Sequence, residues 1–152
     1  MTRDDKWDSR YLELAKSVAE WSKDRTKVGA IVVSSHGQVL AQGYNGFPRG
    51  VADAPERLED RETKLRYIVH AEMNCIYNAC HSGVSLIGAT LYVHGLPVCS
   101  ECAKGVIQVG LKRVVAAYDR DRFERATHWV ESGKLSKSMF SEAGVEWEEV
   151  AF

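Results

Sequence analysis

Apolar and polar positions follow two different periods along this chain, and the changes of period mark its elements. From Trp7 to Trp21 the period is helical. Tyr11, Leu14, Ala15, Val18 and Ser22 form one stripe, Lys16, Glu20 and Lys23 face water, and Asp8 or Ser9 is available as a cap. Val28–Val33 is short, apolar and β-branched, which predicts a buried strand. Ser34-Ser35-His36-Gly37 is turn chemistry, so Val39–Tyr44 returns as an antiparallel partner. Asn45-Gly46-Phe47-Pro48-Arg49-Gly50 cannot extend that strand and forms an irregular loop, open to close approach by a ligand.

Residues 51–66 are densely charged, and the expectation is a solvated helical turn or lid. A helix follows over His70–Cys80, with Met73, Ile76, Tyr77 and Cys80 on its apolar stripe and Gly83 as terminator. Thr90–Val93 reads as a third strand. A helix starting at Pro97 buries Val106, Ile107 and Val109, ends at Gly110, and leads to a fourth strand over Arg113–Ala117. Two more helices are expected, Arg122–Glu131 ending near Gly133 and Ser136–Ala143, before an edge-like strand over Val145–Val150. After the hairpin, strands alternate with helices, so the later strands are expected to be parallel in a layered α/β sheet.

Composition narrows the class. A chain of 152 residues suits one domain with a sizeable core. The net charge of −1 lacks the basic bias of nucleic-acid binders. No apolar run approaches the roughly 18 residues of a membrane span, and Met1–Lys6 carries no apolar signal segment. The expected setting is the cytoplasm. In a reducing compartment the four cysteines read as thiols or metal ligands, and Cys75 and Cys80, on an apolar helix, as small buried side chains.

The chemistry lies in His70-Ala71-Glu72 and, about thirty residues on, Pro97-Val98-Cys99-Ser100-Glu101-Cys102. His70, Cys99 and Cys102 offer three ligands to a tetrahedral zinc and leave a fourth position for water, the mark of a catalytic rather than a structural site. One zinc ion per chain is expected. Zinc brings the pKa of its water to near neutrality, and Glu72 is placed to shuttle protons for that water. A Cys-x-x-Cys pair alone also fits a redox pair, and a lone histidine also fits a satisfied core residue; together with Glu72 they form the zinc nucleobase deaminase signature, with Val98 standing between Pro97 and Cys99. His94 lacks a glutamate two residues on and is expected in the pocket wall or behind the ligands. His36, His81 and His128 are expected at the surface.

Four stretches together resemble the deoxycytidylate (dCMP) deaminases of the cytidine deaminase superfamily: 22–30, Gly43–Gly50, His70–Asn74 and Cys99–Lys104. The likeness runs from about Trp7 to Val150, and Gly43-Tyr-Asn-Gly-Phe-Pro48 is its most particular part. It implies a three-layer cytidine-deaminase-like α/β fold, a mixed five-stranded sheet flanked by helices with the last strand parallel, in a single zinc-dependent deaminase domain over 1–152. It implies hydrolytic deamination of dCMP to dUMP and ammonia, and a homo-oligomer, often a hexamer in that family. It further implies substrate contacts at Asn45, Gly46 and Ala71, with Arg25, Lys27 or Arg49 meeting the phosphate, and no partnership with nucleic acid or membrane. Another cytosine nucleotide or a free nucleoside, adenosine in RNA, and a non-catalytic zinc module are the alternatives to be separated by experiment.

Overall fold

The computed structural model describes residues 3–125 and 127–152. The reading of Met1 and Thr2, and of a helix continuous through Ala126, lies outside them. The elements are α1 (Arg3–Ala19), β1 (Gly29–Val33), β2 (Val39–Tyr44), α2 (Pro55–Glu59), α3 (Arg61–Tyr67), α4 (Ala71–Ser82), β3 (Thr90–Gly95), α5 (Ser100–Gln108), β4 (Arg113–Tyr118), α6 (Arg120–Glu124), α7 (Thr127–Ala143) and β5 (Glu146–Ala151).

The strand order is β2-β1-β3-β4-β5. β1 is antiparallel to β2 and to β3, whereas β3, β4 and β5 run parallel, with Thr90 opposite Arg113 and Arg113 opposite Glu146. This is the expected mixed sheet, and the period-2 geometry of strands explains its two cores. One face, with Ala30, Val32, Leu91, Val93, Val114 and Ala116, packs on Cys75, Ile76 and Ala79 of α4, Cys102, Ala103 and Val106 of α5 and Phe140 of α7. The other, with Ile31, Val33, Tyr92, Val115 and Ala117, packs on Leu12, Ala15 and Val18 of α1. Covered from both sides, β1 is buried at all five positions, which is why its sequence is an unbroken apolar run. Among the described residues no helix is long and apolar enough to cross a membrane.

Several boundaries differ from the sequence reading, each for a tertiary reason. Asp8 is not a cap: it lies inside α1, where its carboxylate takes two hydrogen bonds from Arg113 at 2.9 and 2.6 Å and one from the Tyr92 hydroxyl at 2.6 Å. Leu14 is half exposed, and Leu12 takes its place on the stripe with Ala15 and Val18. On α4 the buried apolar side chains are Ala71, Cys75, Ile76 and Ala79; Tyr77 and Cys80 face solvent, so Cys80 is not a core side chain. Gly133 does not end a helix. α7 runs through it to Ala143, because Ser136 and Phe140 beyond it are buried against the rest of the fold and hold the turns together. His94 lies on the α1 side of the sheet, stacked on Phe152 at 4.8 Å, rather than in the wall of the site. His36, His81 and His128 are exposed, as expected.

Candidate active site

His70 ends an extended stretch and is the N-cap of α4, so it precedes the helix rather than lying within it. Its approach is pinned by Val69, which exchanges backbone hydrogen bonds with Gly46 at 2.8 and 3.1 Å. α4 is also tied to the edge strand: Asn74 donates to the Tyr44 carbonyl at 2.8 Å and Asn78, one turn on, donates to that of Gln42 at 2.6 Å. Cys99 is the N-cap of α5, and its sulfur accepts from the Cys102 amide at 3.4 Å. Both ligand groups therefore sit at helix starts, whose positive dipole ends converge on one place.

There, His70 Nδ1 lies 3.3 Å from Cys102 Sγ and 3.4 Å from Cys99 Sγ. The three donor atoms all fall within 4.8 Å of one another. In a tetrahedral zinc site with bonds of ~2.3 Å to sulfur and ~2.0 Å to nitrogen, adjacent N and S donors are about 3.5 Å apart, so the set fits zinc. Its electrostatics agree. The hydrogen bond from Cys102, opposed by burial and helped by His70, holds the Cys99 thiol well below its ordinary range. Cys102, donating to Cys99 and buried near Glu72, is pushed up, and His70 is raised by its hydrogen bond with Cys99. Two sulfurs beside a buried carboxylate favour a positive charge among them.

Glu72 is 4 % exposed. Burial raises its carboxyl to about 7, with the charge on His70 offsetting part of that shift. An acid poised there can both take and give a proton at neutral pH.

Glu72, His70 and Cys99 line the floor of a cleft of about 210 Å³ at the carboxyl ends of β3 and β4, where open α/β sheets place their ligands. Asn45 and Ala71 line it too. The Asn45 side chain is already committed to the scaffold: its Oδ1 accepts from the Val28 amide at 2.9 Å and its Nδ2 donates to the Thr26 carbonyl at 2.7 Å. Its amide nitrogen carries a second hydrogen, so it can hold the 24–28 loop and still offer a donor. Gly46 is one residue behind the lining, in the bridge to Val69. Arg25, Lys27 and Arg49 are not brought to this cleft. Arg25 is exposed, Lys27 bonds the Glu20 carbonyl at 3.2 Å, and Arg49 bonds Asn78 in a separate groove beside β2.

The cations at the cleft are instead Arg61 and Lys64 of α3 and Arg122 of α6, with Phe123 and Trp129 as its aromatic wall. Lys64 pairs with the buried Asp24 at 3.0 Å, Arg122 donates to the Thr26 hydroxyl at 3.2 Å, and Trp129 stands 6.3 Å from the His70 ring. In the sequence α3 is legible only as a charged run; which of its side chains turn inward is decided by the fold.

Residues 5–118 match the family model described as the cytidine and deoxycytidylate deaminase zinc-binding region. This chain belongs to that family. It is 37 % identical over 142 residues to a deaminase of the luxG 3' region in Aliivibrio fischeri, covering 93 % of this chain and 91 % of that one. Human deoxycytidylate deaminase is 36 % identical over 151 residues, covering 94 % of this chain and 80 % of its own length. A crystal structure of dCMP deaminase from the cyanophage S-TIM5 in complex with dCMP and dUMP superposes with a TM-score of 0.70 and 28 % identity over 99 % of both chains. The zinc-binding character of the family agrees with the donor set at His70, Cys99 and Cys102.

Proposed function

We propose that this chain is a single zinc-dependent deaminase domain that converts dCMP and water to dUMP and ammonia. The observation that carries the proposal is one cleft holding a His-Cys-Cys donor set and a buried glutamate at its floor, with aromatic and cationic side chains around it. The dCMP deaminases among its relatives support the choice of substrate.

Zinc held by His70, Cys99 and Cys102 supplies the Lewis acidity that makes water acidic enough to react at neutral pH. Glu72 takes a proton from the attacking water and gives it to ring N3 of cytosine. It then takes the proton of the hydroxyl newly bonded to C4 and carries it to the 4-amino group, so that the C4–N bond breaks, ammonia leaves and the carbonyl of uracil forms. Burial serves both transfers, because a carboxyl near pH 7 sits close to balance between its two forms. Asn45 presents its remaining amide hydrogen to the nucleotide, and Trp129 and Phe123 supply the apolar surface on which a pyrimidine packs.

Arg61 and Arg122 are the groups we assign to the 5'-phosphate, in place of Arg25, Lys27 and Arg49. A charged hydrogen bond of this kind contributes about 1.5–3 kcal/mol, or roughly tenfold to a hundredfold in kcat/KM. One observation favours a nucleoside instead: Lys64, the third cation, is neutralised by Asp24. The two readings part in a steady-state comparison of dCMP with deoxycytidine. At least tenfold preference for dCMP, lost in Arg61→Gln and Arg122→Gln, supports the nucleotide; equal turnover refutes it.

The assembly expected is a homo-oligomer, with a hexamer as the size to test by light scattering, in a cytoplasmic setting. Half-exposed Trp21 and Tyr44, edge to face at 6.1 Å, and exposed Tyr77 on α4 are the apolar surface that supports association.

A further inference from the structure

Cys99 is gripped from both sides. The peptide before it ends in the Val98 carbonyl, which accepts from the Ser136 hydroxyl at 2.8 Å. The peptide after it begins with the Ser100 amide, which donates to Ser132 Oγ at 2.8 Å. Ser132 also donates to Ser100 Oγ at 3.1 Å. Ser132 and Ser136 are four residues apart on α7, so they share one face, and Ser136 is 2 % exposed.

We propose that Ser132 and Ser136 are positioning residues for the metal site, a clamp that fixes the backbone of Cys99 and through it the direction of its sulfur. Resting on the zinc reading above, the clamp assigns a role to α7 and to Val98, the residue that lengthens the Pro-Cys turn. A helix start leaves its first amides without intrahelical partners. At α5 the N-cap is a cysteine whose sulfur is a metal ligand and a weak acceptor, and Ser132 supplies the oxygen that Ser100 lacks. The added residue brings a further carbonyl, Val98 is buried, and an unpaired carbonyl there would cost what any orphaned buried acceptor costs. Ser136 answers it. The two flanking peptide planes cannot rotate without breaking one of these bonds, so φ and ψ of Cys99 are held together.

The experiment measures zinc release from purified zinc-loaded protein to excess chelator, followed with a chromogenic zinc indicator, alongside the melting temperature and kcat and KM. The variants are Ser132→Ala, Ser132→Ala/Ser136→Ala, Ser132→Thr/Ser136→Thr and, as a core control on the same helix, Phe140→Leu. Partners lying behind metal ligands change affinity by about tenfold to a hundredfold. The double alanine variant is expected to lose zinc about tenfold faster with kcat reduced and KM unchanged. Ser132→Ala, at a half-buried position that tolerates the change, is expected to show part of that effect. The Ser132→Thr/Ser136→Thr pair keeps both hydroxyls, and the methyl group that Ser136→Thr adds has room in the adjoining cavity of about 170 Å³, so release stays near wild type. Phe140→Leu is expected to lower the melting temperature without accelerating release. Wild-type release from both alanine variants, or equal acceleration in Phe140→Leu, overturns the clamp while leaving the zinc reading intact. Wild-type protein that neither carries nor takes up zinc overturns both.

Discussion

Replacing Gly43 with alanine tests how the fold holds Glu72 against the cysteines. Gly43 lies on β2 under the first turn of α4. A Cβ there would stand 2.3 Å from the Cys75 amide nitrogen and 2.8 Å from the Ala71 carbonyl oxygen and the Asn74 carbonyl carbon. Ordinary contact is about 3.5 Å, so the overlap is about 1 Å. All three atoms are backbone, so no side chain can swing aside; helix and strand must separate. Overpacking of this kind costs about 1–3 kcal/mol, which for a chain of this size lowers the melting temperature by roughly 4–8 °C for a 2 kcal/mol loss. Function should suffer more. α4 carries Glu72 and is capped by His70, whereas α5 carries Cys102 and is capped by Cys99, so a shift of about 1 Å opens the site along its seam. Misplacement on that scale costs about a hundredfold in rate. A thermal melt and steady-state deamination of dCMP would measure the two effects. Gly43→Ala with wild-type kcat and zinc content would refute the reasoning, since the close approach of β2 would then not set the position of Glu72.

Gly133→Ala should have the opposite sign. The position is inside α7, a Cβ meets only Phe123 at 3.8 Å, and the gain in helix propensity is about 1 kcal/mol, readable as a melting temperature about 3 °C higher. Glu72→Gln should lower kcat by about 10²–10⁴-fold with zinc content unchanged by metal analysis, because in the proposed mechanism it removes the proton carrier and leaves the three donors. Asp8→Asn makes a pH-dependent prediction. Burial raises the Asp8 carboxyl, but hydrogen bonds from Arg113 and Tyr92 outweigh it and hold it below its ordinary value of 3.8. Its stabilisation is therefore present above about pH 4 and is lost as pH falls through the folded value. Urea melts should show the variant about 2 kcal/mol weaker at pH 7, with the gap closing below pH 4.

The metal site was legible in the sequence because its signal is chemical and local: few pairings of residue type and spacing other than His70-x-Glu72 with Cys99-x-x-Cys102 meet the needs of zinc and a proton carrier. The sheet was legible because β1 and β4 are apolar runs and the hairpin turn is short. The cations of the cleft were not. Arg61 and Lys64 sit in a run of charges where every side chain suits solvent equally, and only the docking of α3 over Asp24 selects them. Arg25, Lys27 and Arg49 lie near the motifs in sequence, yet none of them lines the cleft. The bonds by which Asn45 holds the 24–28 loop, and the grip of α7 on Val98 and Ser100, depend on contacts between residues 17 to 38 apart, which no local pattern encodes. The length of α7 was misread for the same reason: Gly133 is a terminator by local preference, and the burial of Phe140 overrides it.

The central claim is that this cleft deaminates a cytosine nucleotide through Glu72. Purified zinc-loaded protein incubated with dCMP should release one ammonia for each dUMP formed, with deoxycytidine turned over at least tenfold less efficiently and Glu72→Gln slowed by at least about a hundredfold. Full activity in Glu72→Gln, or no dUMP from the wild-type protein carrying one zinc per chain, would contradict it.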